Sequence, residues 1–322
     1  MPRPVNKKPE AKLPRARGQA MTTWSPPRIV TSHSTIALLV VAGAGLAGIV
    51  TSGVQSAADR FSFATSVAFS ARGAVPDATA QSPIIDAAAT AELIEFAGRD
   101  PRGLLRLARE RCQRETGDFS CLFVKQERVN GTLKPIEEIN VLYRADPLSV
   151  YMTWQSGADQ ARRALYIDRR EFVDGQGQRL ARVEPAGVLL SLIVSDVMVP
   201  IHDARARKAS RRAIDEFGFR STFAILERVN DLAATRNELD FQYEGEGAVG
   251  GRATVILVRR LPYTGLGGRY PDAKLILHLD QEWLLPTAIY SYTDTEGHEL
   301  LGSYVFTQVK LNPGLGEEDF RF

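Results

Sequence analysis

Hydrophobic positions change their spacing several times along the chain, and each change predicts an element. From Ile36 to Val54 the residues IALLVVAGAGLAGIVTSGV run 19 positions without a charge. At ~1.5 Å per residue a helix of that length just spans a hydrocarbon core of ~30 Å. Residues 55–98, rich in Ala, Ser and Thr, then read as a flexible linker. At Asp100-Pro101 a helix start follows, with Asp as N-cap and Pro at the first helical position. Leu104, Ala108 and Cys112 recur every fourth residue behind it, and Gly117 is the natural stop.

Beyond Gly117 the period drops to two. Phe119–Val129 and Thr132–Arg144 flank Asn130-Gly131, a hairpin signal because both residues tolerate positive φ. Further strands are predicted at Ser149–Trp154, Ala161–Ile167, Glu171–Val173 and Arg179–Val183. Such close spacing leaves no room for crossover helices, so an antiparallel meander is expected. Phe219, Phe223, Leu226, Val229 and Leu232 then return to steps of three and four, predicting a helix over Arg220–Ala234, with a short turn over Arg211–Phe217 before it. Strands resume at Glu238–Tyr243, Arg252–Arg260, Ala273–Glu282, Thr287–Thr293 and Glu299–Lys310. The fold class expected is α+β: a curved antiparallel sheet, a half-barrel of about ten strands, with helices on its concave face and a membrane segment ahead of it.

Charge sharpens the reading of the N-terminus. The whole chain carries a net charge of +2, but residues 1–33 hold seven basic side chains against Glu10, a net of +6, leaving −4 for the rest. The basic flank precedes the apolar run, so the N-terminus is expected in the cytoplasm and the domain outside it. The organisation expected is a basic cytoplasmic leader at 1–35, a signal or transmembrane helix at 36–54, the linker at 55–98 and a β-domain at 99–322. Cleavage near Ser56-Ala57-Ala58 and retention as an inner-membrane tether are both open. With the leader set aside the domain is mildly acidic, and no nucleic-acid partner is expected. Export makes a disulfide between Cys112 and Cys121 an expectation, with two reduced and partly buried thiols as the alternative that their spacing leaves open.

Candidate chemistry is sparse. Gly245–Gly251 matches G-x-G-x-x-G, but β-rich sequence on both sides and Glu244 and Glu246 favour a hairpin loop over a phosphate cradle. None of His33, His202, His278 and His298 has a metal-ligand neighbour at a useful spacing, and His278, alternating with Leu277 and Leu279, is expected to face solvent. Ser191 and Ser195 lack a nucleophile-elbow motif. No catalytic constellation, cofactor or metal is therefore expected. Arg205, Arg207, Lys208, Arg211 and Arg212 form a basic cluster that reads first as a solvated helix entry and second as a contact for anionic headgroups. Apolar strand faces carry Val150, Met152 and Trp154; Leu277 and Leu279; Tyr290; and Tyr304 and Phe306. These are either core or the wall of an apolar cavity.

Several short motifs resemble known families. Asp280, Trp283-Leu284-Leu285-Pro286, Tyr292-Thr293-Asp294-Thr295-Glu296-Gly297, Tyr304-Val305-Phe306 and Asn312-Pro313-Gly314-Leu315 ending at Phe320 resemble the closing strands of the periplasmic lipoprotein-carrier (LolA/LolB-like) superfamily. Phe123-Val124-Lys125-Gln126-Glu127-Arg128 and Pro147–Trp154 are similar to domain-of-unknown-function family 1571. The resemblance covers roughly residues 100–320. It implies an open half-barrel with an apolar concavity for acyl chains, and hence a non-enzymatic, extracytoplasmic domain that binds a hydrophobic or lipidated ligand. Lipid or lipoprotein acyl chains are the expected partners, with Val150, Met152, Trp154, Leu277, Leu279, Tyr290, Tyr304 and Phe306 as the expected ligand-binding residues. The alternative is an envelope sensor or scaffold domain that binds a protein partner.

Overall fold

The computed structural model describes residues 87–158, 160–186 and 195–322. The basic leader, the apolar run at 36–54, most of the linker and Ser191 lie outside the described residues. No helix among the described residues is long and apolar enough to cross a membrane.

Two helices open the folded part, α1 (Ala87–Arg99) and α2 (Pro101–Glu115). From sequence, residues 87–98 are expected in the linker. Instead their alanines favour helix, and Leu93, Ile94 and Ala97 form an apolar stripe that packs on the core. Helix α2 starts where the spacing predicts, with the Asp100 carboxylate accepting from the Gly103 amide at 2.7 Å. Leu104, Leu105, Ala108 and Cys112 are buried along one face.

The strands are β1 (Asp118–Val129), β2 (Thr132–Leu133), β3 (Glu137–Ala145), β4 (Leu148–Ser156), β5 (Ala161–Ile167), β6 (Leu180–Pro185), β7 (Val197–Pro200), β8 (Asp240–Val249), β9 (Arg252–Arg260), β10 (Lys274–Asp280), β11 (Pro286–Tyr292) and β12 (Leu300–Leu311). Between β7 and β8 lie the short helix α3 (Ala204–Ala209), a 3-10 turn at Ile214–Glu216 and the helix α4 (Phe219–Ala234). All the pairings are antiparallel, in the order β7-β6-β5-β4-β3-β1-β12-β11-β10-β9-β8, with β2 paired to β1. The result is a large, curved, open α+β sheet of two meanders, joined where β1 lies along β12.

Twelve strands replace the expected ten for local reasons. The run 132–144 breaks at Lys134–Ile136, where Pro135 lacks the N–H a ladder needs. Glu171–Val173, expected as a strand, is mostly a 3-10 turn over Arg170–Phe172, with Val173 alone bridged to Arg179. Val197–Pro200 adds an edge strand. The G-x-G-x-x-G match is a hairpin: Gly245 and Gly247 lie in β8, and Gly250 and Gly251 turn the chain at φ 57° and 79°.

One face of the sheet buries the main core with α1, α2 and α4. Its centre is aromatic: Phe119 stacks between Tyr143 and Phe219, and Phe306 touches Phe123, Phe217 and Phe219 at centroid distances of 4.9–5.9 Å. Cys112 and Cys121 both face this core and both are free thiols, which overturns the expected disulfide. Both sulfurs are packed into this one apolar cluster as reduced thiols. Burial pushes the Cys112 thiol up to about 11 against the lowering effects of Thr116 and Arg220, and pushes Cys121 higher still.

Candidate ligand-binding cavity

Strand β1 changes character along its buried face. Phe119, Cys121 and Phe123 come first, and the same alternation then delivers Lys125 and Glu127. Lys125 is 8% exposed and Glu127 3%. The ladders place Glu137 of β3 on one side of Lys125 and Tyr304 of β12 on the other. Three adjacent strands thus carry a polar row beside the apolar row of Phe123, Ile139 and Phe306.

Next to these rows lies a cavity of about 510 Å³, within the range of about 300–1,000 Å³ typical of small-molecule sites. Its walls are the inner faces of β1 and β3–β7 together with Arg259, Leu275, Ile289, Tyr304 and Phe306 from β9 to β12, closed by the segment from α3 into the first turns of α4. Met152, Ala164, Ala181, Val183, Ile214 and Phe217 supply much of the apolar surface. Lys125, Glu127, Glu137 and Ser210 line the same space, and the exposed Gln160 and Arg212 also border it.

The polar row is tightly organised around Glu127. One carboxylate oxygen accepts from the Tyr304 hydroxyl at 2.7 Å, and the other accepts from Ser210 Oγ at 2.8 Å and the Arg211 amide at 3.3 Å. Burial alone raises the pKa of Glu127, but the Lys125 ammonium and these hydrogen bonds outweigh it and hold the carboxyl below its usual range. Tyr304 moves the other way, pushed up by burial and by the carboxylate it donates to. Glu137 accepts from Trp154 Nε1 at 2.5 Å. Lys125 Nζ is held only loosely, at 3.4 Å from Glu127, 3.5 Å from Glu137 and 3.5 Å from Ser210 Oγ.

Four of the eight residues expected to bind ligand, Met152, Trp154, Tyr304 and Phe306, line this cavity. The other four do not. Val150, Leu277 and Leu279 are fully buried in core. Tyr290 lies on the opposite sheet face, edge-on to His278 at 5.9 Å. Ile289, its neighbour along β11, is the residue that reaches the cavity. His278 itself is half-buried rather than solvent-facing, with Nδ1 3.1 Å from Thr254 Oγ1, and its burial lowers its pKa.

Lys125, Glu127 and Glu137 are not among the ligand-binding residues expected from sequence, because charges on a strand read as solvent-facing. The available signal was their parity with Phe119, Cys121 and Phe123. Among the described residues no group of histidine, cysteine or carboxylate side chains could hold a metal ion. In the basic cluster, Arg207, Lys208 and Arg212 are exposed, while Arg211 is half-buried and donates to the Pro271 carbonyl at 3.3 Å.

Residues 116–322 match the family described as "Protein of unknown function (DUF1571)". No curated protein matches the chain. Among solved structures, the chain is similar to one in the complex of MucA and MucB from Pseudomonas aeruginosa, at 20% identity and a TM-score of 0.38. That match covers 68% of this chain and 61% of the other. A putative outer membrane lipoprotein-sorting protein domain from Vibrio parahaemolyticus matches at 13% identity and a TM-score of 0.32, covering 67% and 95%. The lipoprotein LppX from Mycobacterium tuberculosis matches at 14% and 0.35, covering 67% and 98%.

Proposed function

This chain belongs to the family described as a protein of unknown function, DUF1571, and from that footing we propose that it is a non-enzymatic binding domain for a hydrophobic or lipidated ligand. The observation that carries this reading is the cavity itself. An apolar pocket of about 510 Å³ lies open beneath the sheet instead of being filled by side chains, although the adjoining core is packed. Cores normally leave few voids larger than a water molecule, because an empty apolar space forfeits dispersion contacts. A chain of methylenes restores them, at about 0.8 kcal/mol for each one buried.

The apolar run at 36–54 and its basic flank support an extracytoplasmic location. There a ligand supplied by a membrane or a lipoprotein is at hand, and the resemblance to lipoprotein carriers agrees with it.

Solvent extraction of the full chain purified from its own host should yield a stoichiometric lipid, and the protein should take up an environment-sensitive apolar dye. Ala164→Phe puts a ring into the space that Ala164 and Met152 border, and should abolish uptake while the protein still melts cooperatively. A lipid-free protein with no dye uptake would refute the reading. In-cell crosslinking to one dominant protein partner, with no lipid found, would favour the sensor or scaffold alternative.

A further inference from the structure

The polar row inside the cavity restricts which amphiphile fits. An ionised anionic head that enters past the exposed Arg212 at the cavity border reaches Lys125 inside, where Glu127 and Glu137 stand 3.4 and 3.5 Å from the same ammonium. A cationic head fares no better. Glu127 already receives Tyr304, Ser210 and the Arg211 amide besides facing Lys125. One Glu137 oxygen is taken by Trp154, and its other oxygen is the one facing Lys125. Deeper in the cavity, Asp272 is likewise occupied, with both oxygens accepting from Arg259. A head of either charge therefore meets its own sign in a desolvated site, where like charges are costly.

A neutral acceptor meets no such obstacle. The three oxygens around Lys125 Nζ all lie at 3.4–3.5 Å, longer than the ~2.7–2.9 Å of a charge-assisted hydrogen bond. The ammonium thus keeps donor capacity on the cavity side. An uncharged carbonyl oxygen can accept from it without adding charge to the row.

Resting on the binding reading above, we propose that the cavity selects a single acyl chain whose first polar group is a neutral ester or amide carbonyl, and that Lys125 is the residue that recognises it. The apolar wall takes the chain, and Glu127 and Glu137 exclude the ionised fatty acid. Tyr304 and Trp154 keep those two carboxylates in place by hydrogen bonding.

Competition against a bound apolar dye tests this on the full chain with four compounds of equal chain length: hexadecanoylglycerol, hexadecanamide, hexadecanoate and hexadecylamine, at neutral pH. The expected ranking puts ester and amide about tenfold ahead of both charged compounds, the size of one hydrogen bond to a charged group. Lys125→Met should weaken ester and amide by about the same factor relative to the dye, measured with the dye affinity of the variant itself. Glu137→Gln removes one repelling charge while keeping an acceptor for Trp154, so it should narrow the gap between hexadecanoate and ester. Equal or tighter binding of the acid or the amine by the wild type overturns the proposal, whether or not the variants fold. So does an unchanged ratio in Glu137→Gln. Dye uptake with no preference among the four leaves the general binding function standing and removes only the selectivity, whereas absence of all uptake removes both.

Discussion

At Glu127, donors from β12 and from the Ser210–Arg211 segment converge with Lys125 of its own strand on one buried carboxylate, and the site should register in stability as well as in binding. Deleting one partner of a buried ion pair leaves the other charge uncompensated, so Glu127→Ala should cost about 3–5 kcal/mol in denaturant unfolding. The pH dependence has a definite sign. Because the folded-state pKa is depressed, the stabilisation is present above the unfolded value of about 4.3 and is lost as pH falls through the lower folded value. Melting of the wild type in acid should therefore decline more steeply than that of Glu127→Gln. The thiols offer a second check at this scale. With Cys112 and Cys121 buried and unbonded, the native protein should resist alkylation, and the unreduced protein in denaturant should take up two labels. Here the sequence misled twice. Hydropathy treats Lys125 and Glu127 as surface, since burial of a charge depends on partners from β3 and β12 that no local pattern displays. A nine-residue separation likewise says nothing about which way a helix and a strand aim their sulfurs.

Elements were more legible, because their signals are local. Asp100 caps α2 through the Gly103 amide, and Asn130-Gly131 turns the first hairpin at φ 50° and 81°, as the residue types require. The motifs behind the family resemblance prove to be fasteners between elements. Asp280 accepts from Arg252 at 2.6 Å and caps the Glu282 and Trp283 amides. Asn312 accepts from the Gly117 amide and donates to the Glu115 carbonyl, tying the end of α2 to the end of β12. Not legible was Gly218, the N-cap of α4 at φ 104° and ψ 167°, where an added Cβ would lie 2.5 Å from the Tyr143 ring. That backbone region is essentially reserved for glycine. Gly218 also borders the cavity, so Gly218→Ala should cost about 1–3 kcal/mol and weaken dye binding. Asp100→Ala, at the far end of the helical layer, should cost about 1 kcal/mol and leave dye binding intact. Denaturant titrations paired with dye titrations would separate the two effects.

For the whole molecule, the decisive contact is the one furthest apart in sequence. Strand β1 pairs with β12 from Phe119↔Leu311 to Glu127↔Gly302, and this ladder alone joins the two meanders into one sheet. Periodicity identifies both strands but cannot match them, since any two runs of period two can be laid side by side. The core straddles the same seam. Phe306 of β12 packs on Phe123 of β1 and on Phe217 and Phe219 at the start of α4, so neither meander keeps its own core without the other. Cooperative unfolding follows from that sharing rather than from sheet size. Trp154 in β4 and Trp283 in the turn before β11 report on opposite meanders, and with Trp24 replaced by Phe, single-tryptophan variants isolate each signal. Both should unfold at one midpoint. Phe306→Ala, which removes a ring shared across the seam, should lower both by the same amount, about 3–5 kcal/mol. Two midpoints in the parent, or a loss confined to the Trp283 signal, would mean that the meanders fold as independent units and that the cavity, to which Tyr304 and Phe306 of β12 contribute, is assembled only when the two units dock.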